Sequence, residues 1–349
     1  MKRIGVLTGG GDCPGLNAVL RSLTLALKIH QGPELLGLCD AYFGLLDEPP
    51  RLIQLTPQLV WEILADGGTI LGTSNSGNPF SWEGRDRSHE VLQRFKDLGI
   101  EGLISIGGDG STKIAAGLME AGLPVIAVPK TIDNDVEGTD VTFGFESAMR
   151  CATDALDRLR TTGESHSRVM VLETMGRDAG WISLTAGIAG GADVIIIPEI
   201  PYKLEAISQQ IATVREHGRS YVLIIVAEGA RPENGEALYR DPENARLGGV
   251  GWALAREIED ATGIETRATR LGHLQRGGSP SPVDRVLATS FGAAAARCVI
   301  ADQWNVMVAF KQGRMTTVPI SEIAGKIRTV PATHPLLLTA RSLGISMGA

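Results

Sequence analysis

Short runs of apolar residues alternate along the chain with longer segments whose apolar positions recur every three to four residues. The short runs are rich in β-branched side chains and predict buried strands over residues 3–8, 102–106, 125–128, 169–172, 194–197 and 221–227. Because nearly every position in these runs is apolar, they are typical of parallel strands covered on both faces. The longer segments predict amphipathic helices over residues 16–29, 88–98, 112–121, 146–159, 204–217 and 250–262.

This regular alternation predicts an α/β fold. A length of 349 residues corresponds to roughly two domains at about 150 residues each. We place the first domain boundary near Glu146, where the longest predicted helix begins after two glycines, Gly138 and Gly144. Residues 231–248 combine Pro, Glu, Asn and Gly, and predict an exposed insertion loop.

Charge and composition limit the possible partners. The chain has 33 basic and 40 acidic residues and a formal net charge of −7, which disfavours a broad nucleic-acid surface. No apolar run approaches the roughly 20 residues of a membrane span, so no membrane partner is expected. The 4 cysteines show neither the spacing of a disulfide framework nor that of a zinc site, which favours a reducing, cytoplasmic location.

Two glycine-rich turns follow predicted strands. The first, GGGDCPG at residues 9–15, precedes a helix, where backbone N–H groups and the helix dipole can hold an anion. Its spacing departs from the dinucleotide-binding fingerprint, and Leu16 stands where a P-loop carries lysine. The second, GGDGS at residues 107–111, has Asp109 between its glycines. Each turn also fits a ligand-free connection, with Asp109 as a helix cap; alternatively Asp109 holds Mg²⁺ beside nucleotide phosphates.

A third loop, PKTIDND at residues 129–135, places a lysine and two carboxylates directly after a strand. An Asx-turn with solvated charges is one interpretation. The other is phosphoryl transfer, in which a carboxylate near Mg²⁺ accepts a hydroxyl proton while its neighbour orients the metal or its waters. The amount of charge in one strand-end loop favours the second interpretation.

Further along the chain stand MGR at residues 175–177 and GHLQRGGSP at residues 272–280. With the three loops, and in the same order along nearly the whole chain, these motifs resemble the 6-phosphofructokinases. GGDG also occurs in lipid and NAD kinases, whereas PKTIDND together with GHLQRGGSP is specific. The resemblance implies two Rossmann-like three-layer α/β/α domains with mainly parallel sheets. The larger, nucleotide-binding domain would comprise residues 1–143 and about 274–324, and the smaller, sugar-phosphate-binding domain residues 144–273 and about 325–349.

The same resemblance implies Mg²⁺-dependent transfer of the γ-phosphoryl group of ATP to O1 of fructose 6-phosphate, a glycolytic reaction. Catalysis would rest on Asp133 as general base, with Thr131, Asp135 and Arg177. The residues implied for fructose 6-phosphate are Thr131, Asp133, Arg168, Met175, Gly176, Arg177, Glu228, Arg267, His273 and Arg276. The residues implied for the nucleotide are Gly11, Asn75, Gly108, Asp109, Gly110, Ser111 and Lys130, with Asp109 also as the Mg²⁺ ligand. Arg168 and Arg267 would reach the 6-phosphate across a subunit interface, in a homotetramer.

The identity of the phosphoryl donor depends on a mixed signature. In the family, an aspartate at the position of Gly110 occupies the place of the α-phosphate of ATP and favours pyrophosphate, so the glycine favours ATP. Lys130 instead matches the pyrophosphate-using members, and Asn75 replaces an arginine that contacts the donor phosphates. Lys130 is expected to compensate for that missing arginine.

The combination of glycine and lysine resembles the longer ATP-dependent members of plants and trypanosomatids, so ATP is the expected donor. Pyrophosphate or ADP is the alternative donor. A non-catalytic sensor of sugar phosphate or nucleotide is a further alternative. Such a sensor would be expected to lose its base or metal carboxylate, yet Asp109, Asp133 and Asp135 are all present.

Overall fold

A computed structural model describes residues 3–241 and 246–349. The chain divides into two compact units. The first contains the residues up to Thr131, then Asp135–Glu146 and Arg276–Ile327; the second contains Ile132–Asn134, Ser147–Gln275 and Arg328–Ala349. The assignment of one domain to the nucleotide and the other to the sugar phosphate stays a prediction.

In the described part of the chain, the strands are β1 (Arg3–Thr8), β2 (Glu34–Leu38), β3 (Leu52–Gln54), β4 (Leu103–Gly107), β5 (Val125–Pro129), β6 (Val169–Thr174), β7 (Val194–Ile196), β8 (Val222–Ala227), β9 (Tyr239–Asp241), β10 (Arg246–Leu247), β11 (Thr266–Arg270), β12 (Val306–Lys311) and β13 (Arg314–Pro319). The α-helices are α1 (Leu16–Ile29), α2 (Tyr42–Leu46), α3 (Pro57–Val60), α4 (Ser88–Asp97), α5 (Asp109–Glu120), α6 (Phe145–His166), α7 (Trp181–Ala189), α8 (Leu204–Glu216), α9 (Val250–Thr262), α10 (Pro282–Ile300), α11 (Ile320–Ile323) and α12 (Pro335–Ser342). Short 3₁₀ helices cover Ile63–Ala65, Pro79–Ser81 and Gly272–Gln275.

The first unit is built on a seven-stranded sheet with the order β13–β12–β5–β4–β1–β2–β3. The strands from β12 to β2 are parallel, and the outer strands β13 and β3 are antiparallel to their neighbours. The chain passes from β1 to β2 on one side and later to β4 on the other side, so the strand order reverses between β1 and β4. Ligands of open α/β sheets bind outside the carboxyl ends of the strands at such a reversal.

Both faces of this sheet are covered. Ile4, Val6 and Leu7 of β1 are all buried, although successive side chains of a strand point to opposite faces. Helices α4 and α5 pack with Leu7 in one core cluster. Helices α1 and α10 approach each other closely, since a β-carbon on Gly292 would lie 2.0 Å from Ser22 Oγ.

The second unit is built on a four-stranded sheet with the order β11–β6–β8–β7, parallel throughout. Every residue of β6 and β8 is buried. Helices α8 and α9 pack on the sheet through a cluster that includes Ile211, Leu254 and Ile258. Helix α7 also packs on it, since a β-carbon on Gly187 would lie 2.7 Å from the side chain of Ile195.

The predicted α/β class with mainly parallel sheets is confirmed, and the strand at 3–8 and the helices at 16–29 and 250–262 match to the residue. The predicted helix at 112–121 instead begins at Asp109, and the one at 146–159 continues to His166. Helix α10 was not predicted because its alanine-rich apolar residues surround the helix instead of forming a stripe. Of the predicted insertion loop at 231–248, the described part contains the hairpin β9–β10; residues 242–245 lie outside the described residues.

All four cysteines are free thiols, as expected. Among the residues that the structure describes, no helix combines the length and the apolar character needed to cross a bilayer.

Candidate active site

Two glycine turns follow the parallel neighbours β1 and β4, at the reversal of strand order. They pack against each other through Ser111. A β-carbon on Gly9 would lie 2.8 Å from Ser111 Oγ, and one on Gly107 would lie 2.2 Å from the same side chain. The N–H of Gly9 donates to the carbonyl of Ile106 at 2.9 Å. Glycine is therefore required at both positions by close approach, and the expected placement of the turns on adjacent strands is confirmed.

Helix α5 begins inside the second turn. Its N-cap is Gly108 and its first residue is Asp109, so the interpretation of Asp109 as the helix cap is wrong. The first turn of a helix presents N–H groups without intrahelical partners, and the helix dipole favours an anion there. Gly110 is exposed, and a β-carbon on it would meet no atom within 4 Å. The turn is therefore open at Gly110.

Lys130 joins the third loop to both turns. It follows β5 directly and is 2% exposed. Its Nζ donates to the carbonyl of Gly11, and its N–H donates to the carbonyl of Gly107 at 2.9 Å. The three motif loops therefore meet at the carboxyl ends of three neighbouring parallel strands, with a buried positive charge beneath the first turn.

Two further predicted residues lie near the first turn. The N–H of Gly10 donates to the carbonyl of Ser74 at 2.9 Å, which places the next residue, the exposed Asn75, at the edge of this turn. Arg276, expected to bind the sugar phosphate, donates from Nη1 to the carbonyl of Asp12 at 3.1 Å. A β-carbon on Gly11 would lie 2.6 Å from this nitrogen. Arg276 thus lies against the glycine turn of the first unit.

The loop at 129–135 contributes to both units. Thr131 and Asp135 belong to the first unit and Asp133 to the second. Asp133 is 3% exposed. The next residue, Asn134, has a φ of 55°, and its carbonyl accepts a hydrogen bond from Arg328 Nη1 at 3.0 Å. The backbone beside Asp133 is thus anchored by an arginine that sequence reasoning did not single out.

In the second unit, predicted sugar-binding residues follow three neighbouring parallel strands. Residues 175–177 come directly after β6, Glu228 after β8, and His273 lies in the 3₁₀ helix after β11. The N–H of Met175 donates to Oε1 of the buried Gln275 at 2.8 Å. Gln275 was missed as a supporting residue, although it stands inside the GHLQR motif.

Glu228 lies in an environment that disfavours its charge. Burial first, and then the negative charge of Asp133, raise the pKa of Glu228 to about 7, while Arg270 and the backbone N–H of Arg177 act in the opposite direction. The turns that carry Glu228 and Arg177 touch, because a β-carbon on Gly229 would lie 1.9 Å from the carbonyl oxygen of Arg177. Asp133 and Glu228 are therefore two coupled carboxyl groups of one unit.

Arg168 and Arg267 lie at the opposite end of these strands, near the strand beginnings. Arg168 precedes β6 and Arg267 is the second residue of β11. Both pair with Glu265, Arg168 at 2.8 Å. At about 3.3 Å per residue, a six-residue strand separates its two ends by about 20 Å. Within one chain, these arginines are not brought together with residues 175–177 or with Glu228.

The donor set fits a magnesium ion shared with a substrate. Among residues 3–241 and 246–349, no three His, Cys, Asp or Glu side chains gather as metal ligands. Mg²⁺ is usually held by one or two carboxylates together with substrate phosphates. Asp109, at the start of α5, is one such carboxylate beside an anion-binding turn.

The family model of phosphofructokinase matches residues 3–299, which include both glycine turns, PKTIDND and GHLQRGGSP. The chain belongs to the phosphofructokinase family. The resemblance inferred from the motifs is thereby confirmed.

Relatives extend the phosphofructokinase match to almost the full length. The ATP-dependent 6-phosphofructokinase of Chloroflexus aurantiacus is 47% identical over 353 residues, covering 99% of this chain and 98% of the relative. ATP-dependent 6-phosphofructokinase 1 of Synechocystis sp. is 44% identical over 356 residues, covering 100% and 99%.

Solved phosphofructokinases share the fold. The T-state crystal structure from Pichia pastoris matches with a TM-score of 0.82 and 32% identity, covering 93% of this chain and 35% of that chain. This chain therefore spans about a third of the yeast protein's length. A pyrophosphate-dependent phosphofructokinase from Marinobacter aquaeolei matches with a TM-score of 0.81 at 23% identity, covering 95% and 86%, a likeness of fold alone.

Proposed function

We propose that the chain transfers the γ-phosphoryl group of ATP to O1 of fructose 6-phosphate, giving fructose 1,6-bisphosphate and ADP. The observation that carries the proposal is the meeting of three motif loops at the carboxyl ends of β5, β4 and β1. The full-length relatives named ATP-dependent 6-phosphofructokinase support ATP as the donor.

The first unit binds the donor. Backbone N–H groups at Gly11, Gly108, Gly110 and Ser111 and the dipole of α5 attract its phosphates. Asp109 is the proposed ligand of Mg²⁺, which, when bound, neutralises charge on the phosphate oxygens. Lys130 adds a fixed positive charge, and Asn75 lies at the edge of the turn.

Asp133 is the proposed general base. It accepts the proton of the O1 hydroxyl while O1 forms its bond to the γ-phosphorus and the bond to the bridging oxygen of ADP breaks. Thr131 and Asp135 flank it in the loop, and Arg177 offsets the charge of the transferred group. A buried, backbone-anchored carboxylate supports this role because it loses little freedom on reaching the reactive geometry.

The sugar phosphate is held by Met175, Gly176, Glu228, His273 and Arg276. Arg168 and Arg267 lie near the beginnings of the strands of the second sheet, far from the other sugar-binding residues. They therefore bind the 6-phosphate of a site in a neighbouring subunit. This arrangement supports active sites that are shared between subunits, and the proposed assembly is a homotetramer. The cytoplasmic location is likewise a proposal.

Pyrophosphate is the second candidate donor, because the buried Lys130 occupies the position that is lysine in pyrophosphate-using members. Asp109, Asp133 and Asp135 are retained, which disfavours a sensor without catalysis.

A parallel assay tests the proposal. Purified protein with Mg²⁺ and fructose 6-phosphate is offered ATP, ADP, GTP and pyrophosphate, and fructose 1,6-bisphosphate is measured. We expect ATP to give the highest kcat/KM and Asp133→Asn to lower kcat by about 10²- to 10⁴-fold, the usual range of general-base catalysis. Asp157→Asn, at an exposed position of α6, is the matched control and should retain activity. Full turnover by Asp133→Asn, or a preference for pyrophosphate, would contradict the proposed base or donor.

A further inference from the structure

A half-buried arginine lies between two buried carboxylates at the carboxyl ends of the strands of the second sheet. Glu173 of β6 and Arg270 of β11 are register partners on neighbouring strands. Arg270 Nε lies 2.9 Å from Glu173 Oε1, and its Nη2 lies 3.6 Å from Glu228 Oε2. Glu173 is 1% exposed in a strand that is otherwise mostly apolar. Burying the Glu173 carboxylate inside this strand is costly unless the charge is paired.

The start of α9 holds Glu173 in place. Its carboxylate accepts hydrogen bonds from the N–H of Gly249 at 3.1 Å and from the N–H of Gly251 at 2.8 Å. A β-carbon on Gly248 would lie 2.7 Å from Arg270 Nη2. Glu173 is therefore a fixed anchor, and Arg270 is confined between this anchor and Glu228.

The charges around Glu228 come from three directions. Asp133 of the loop after β5 and Glu173 of β6 are negative, and Arg270 of β11 is positive; the backbone N–H of Arg177 also donates to its carboxylate. Burial and Asp133 oppose ionisation, whereas Arg270 favours it. With the pKa of Glu228 at about 7, a change at Arg270 alters the protonation of this carboxyl in the physiological range.

We propose that Arg270 is a positioning residue, which, anchored by Glu173, holds the Glu228 carboxylate ionised and oriented to accept a hydrogen bond from a hydroxyl group of the sugar phosphate. The inference rests on the proposed function, in which Glu228 binds that sugar. An ionised carboxylate forms a stronger hydrogen bond with a hydroxyl group than a neutral one does. Arg270 thus acts through Glu228 and makes no contact with the sugar itself.

The test is the pH profile of kcat/KM for fructose 6-phosphate, measured from pH 6 to 9 at saturating ATP. For Arg270→Met, we expect the rise of the profile to move up by about one pH unit or more, because a favourable charge is lost. KM for the sugar should rise about fivefold or more at pH 7 and approach the wild-type value at pH 9, while KM for ATP stays within about twofold. Arg270→Lys should restore most of the profile because it keeps the positive charge.

Glu173→Gln provides a test in the opposite direction. It removes a negative charge but keeps an oxygen that accepts from the start of α9, so the profile should move to lower pH. Arg256→Met is the matched control, since this arginine on α9 is 86% exposed, and its profile should match the wild type. The ¹³C resonance of the Glu228 carboxyl, assigned with Glu228→Gln, reports the same shifts in sugar-free protein.

An Arg270→Met enzyme whose KM rises equally at every pH would overturn the inference, as would a carboxyl resonance that titrates as in the wild type. Either result, with an active wild type, leaves the proposed function standing. A wild-type protein inactive on fructose 6-phosphate with every donor would refute the proposed function, and the positioning role with it.

Discussion

Two single residues bear on the choice of phosphoryl donor. Gly110 lies in the first turn of α5 with open space around the position of a β-carbon. Lys130 is buried and donates to the carbonyl of Gly11. In the proposed donor site, Gly110 would leave room for the α-phosphate of ATP, and Lys130 would supply positive charge next to the first turn. The two effects can be tested separately, because substitution of Gly110 and substitution of Lys130 change different parts of the proposed donor site.

Gly110→Asp should fold normally but use ATP poorly. A β-carbon at this position meets no atom within 4 Å, and the carboxylate that it carries would lie where the donor's phosphates are proposed to bind. Repulsion between like charges about 4 Å apart costs about 1–4 kcal/mol, so kcat/KM for ATP should fall by about 5- to 10³-fold. Gly110→Asn is the neutral control of the same size. Equal ATP kinetics for the two variants would argue against a phosphate at this place.

Lys130→Met tests the compensating charge. The methionine retains most of the buried volume and removes the ammonium group, so KM for ATP should rise about tenfold or more, as expected for losing a charge-assisted contact of about 1.5–3 kcal/mol. Lys113→Met, at an exposed position of α5, is the control for a general loss of charge. Steady-state kinetics at varied ATP concentration measure this KM. Wild-type kinetics in Lys130→Met would show that Lys130 does not contribute to ATP binding.

At the scale of elements, the two glycine turns pack against each other at the start of α5. Gly9 and Gly107 both face Ser111, with no room for a β-carbon on either glycine. The turns are thereby held in one relative position. Packing therefore fixes the position of the proposed anion-binding groups without a ligand.

Gly107→Ala should lower the free energy of unfolding by about 1–3 kcal/mol, the usual cost of overpacking. The added methyl would lie 2.2 Å from the side chain of Ser111. In a Ser111→Gly background, the same substitution should cost much less. Gly110→Ala, which meets no atom within 4 Å, is the control. Denaturation curves at one fixed protein concentration give the stabilities of the wild type, the three variants of this cycle and the control. Equal costs in both backgrounds would show that Ser111 is not the clashing group.

At the scale of the whole molecule, the predicted sugar-binding residues stand at opposite ends of the strands of the second sheet, which argues for assembly. Met175 and Glu228 follow strands, whereas Arg168 and Arg267 stand near the strand beginnings. One sugar phosphate cannot span about 20 Å of strand. If both sets of residues bind the same ligand, two subunits must supply them.

Mixed subunits test this requirement. Asp133→Asn and Arg267→Met proteins should each be nearly inactive, but a co-expressed equal mixture should recover about a quarter of wild-type activity. In a two-fold pair with random association, half the pairs are mixed and each mixed pair has one intact site of two. No recovery in verified mixed assemblies would indicate that each active site is built from one chain.

Much of the fold could be predicted because local patterns suffice for it. The apolar run at 3–8 and the amphipathic pattern at 16–29 gave correct boundaries. A strand buried on both faces is apolar at nearly every position, whereas a helix buried along one stripe is apolar at every third or fourth position. Helix α10 left no such stripe. Gln275 and Arg270 were missed for another reason: their importance lies in contacts with Met175, Glu173 and Glu228 that are far away in sequence.

The sequence by itself determined the α/β class, the motifs and the family, because these depend on residue order and on periodic burial. Only the tertiary structure decided that the buried Lys130 donates to Gly11, that Arg276 lies against the first glycine turn and that Arg270 lies between Glu173 and Glu228. Such contacts join residues over 40 to over 250 positions apart, and they exist only after strand pairing brings the ends of different strands together.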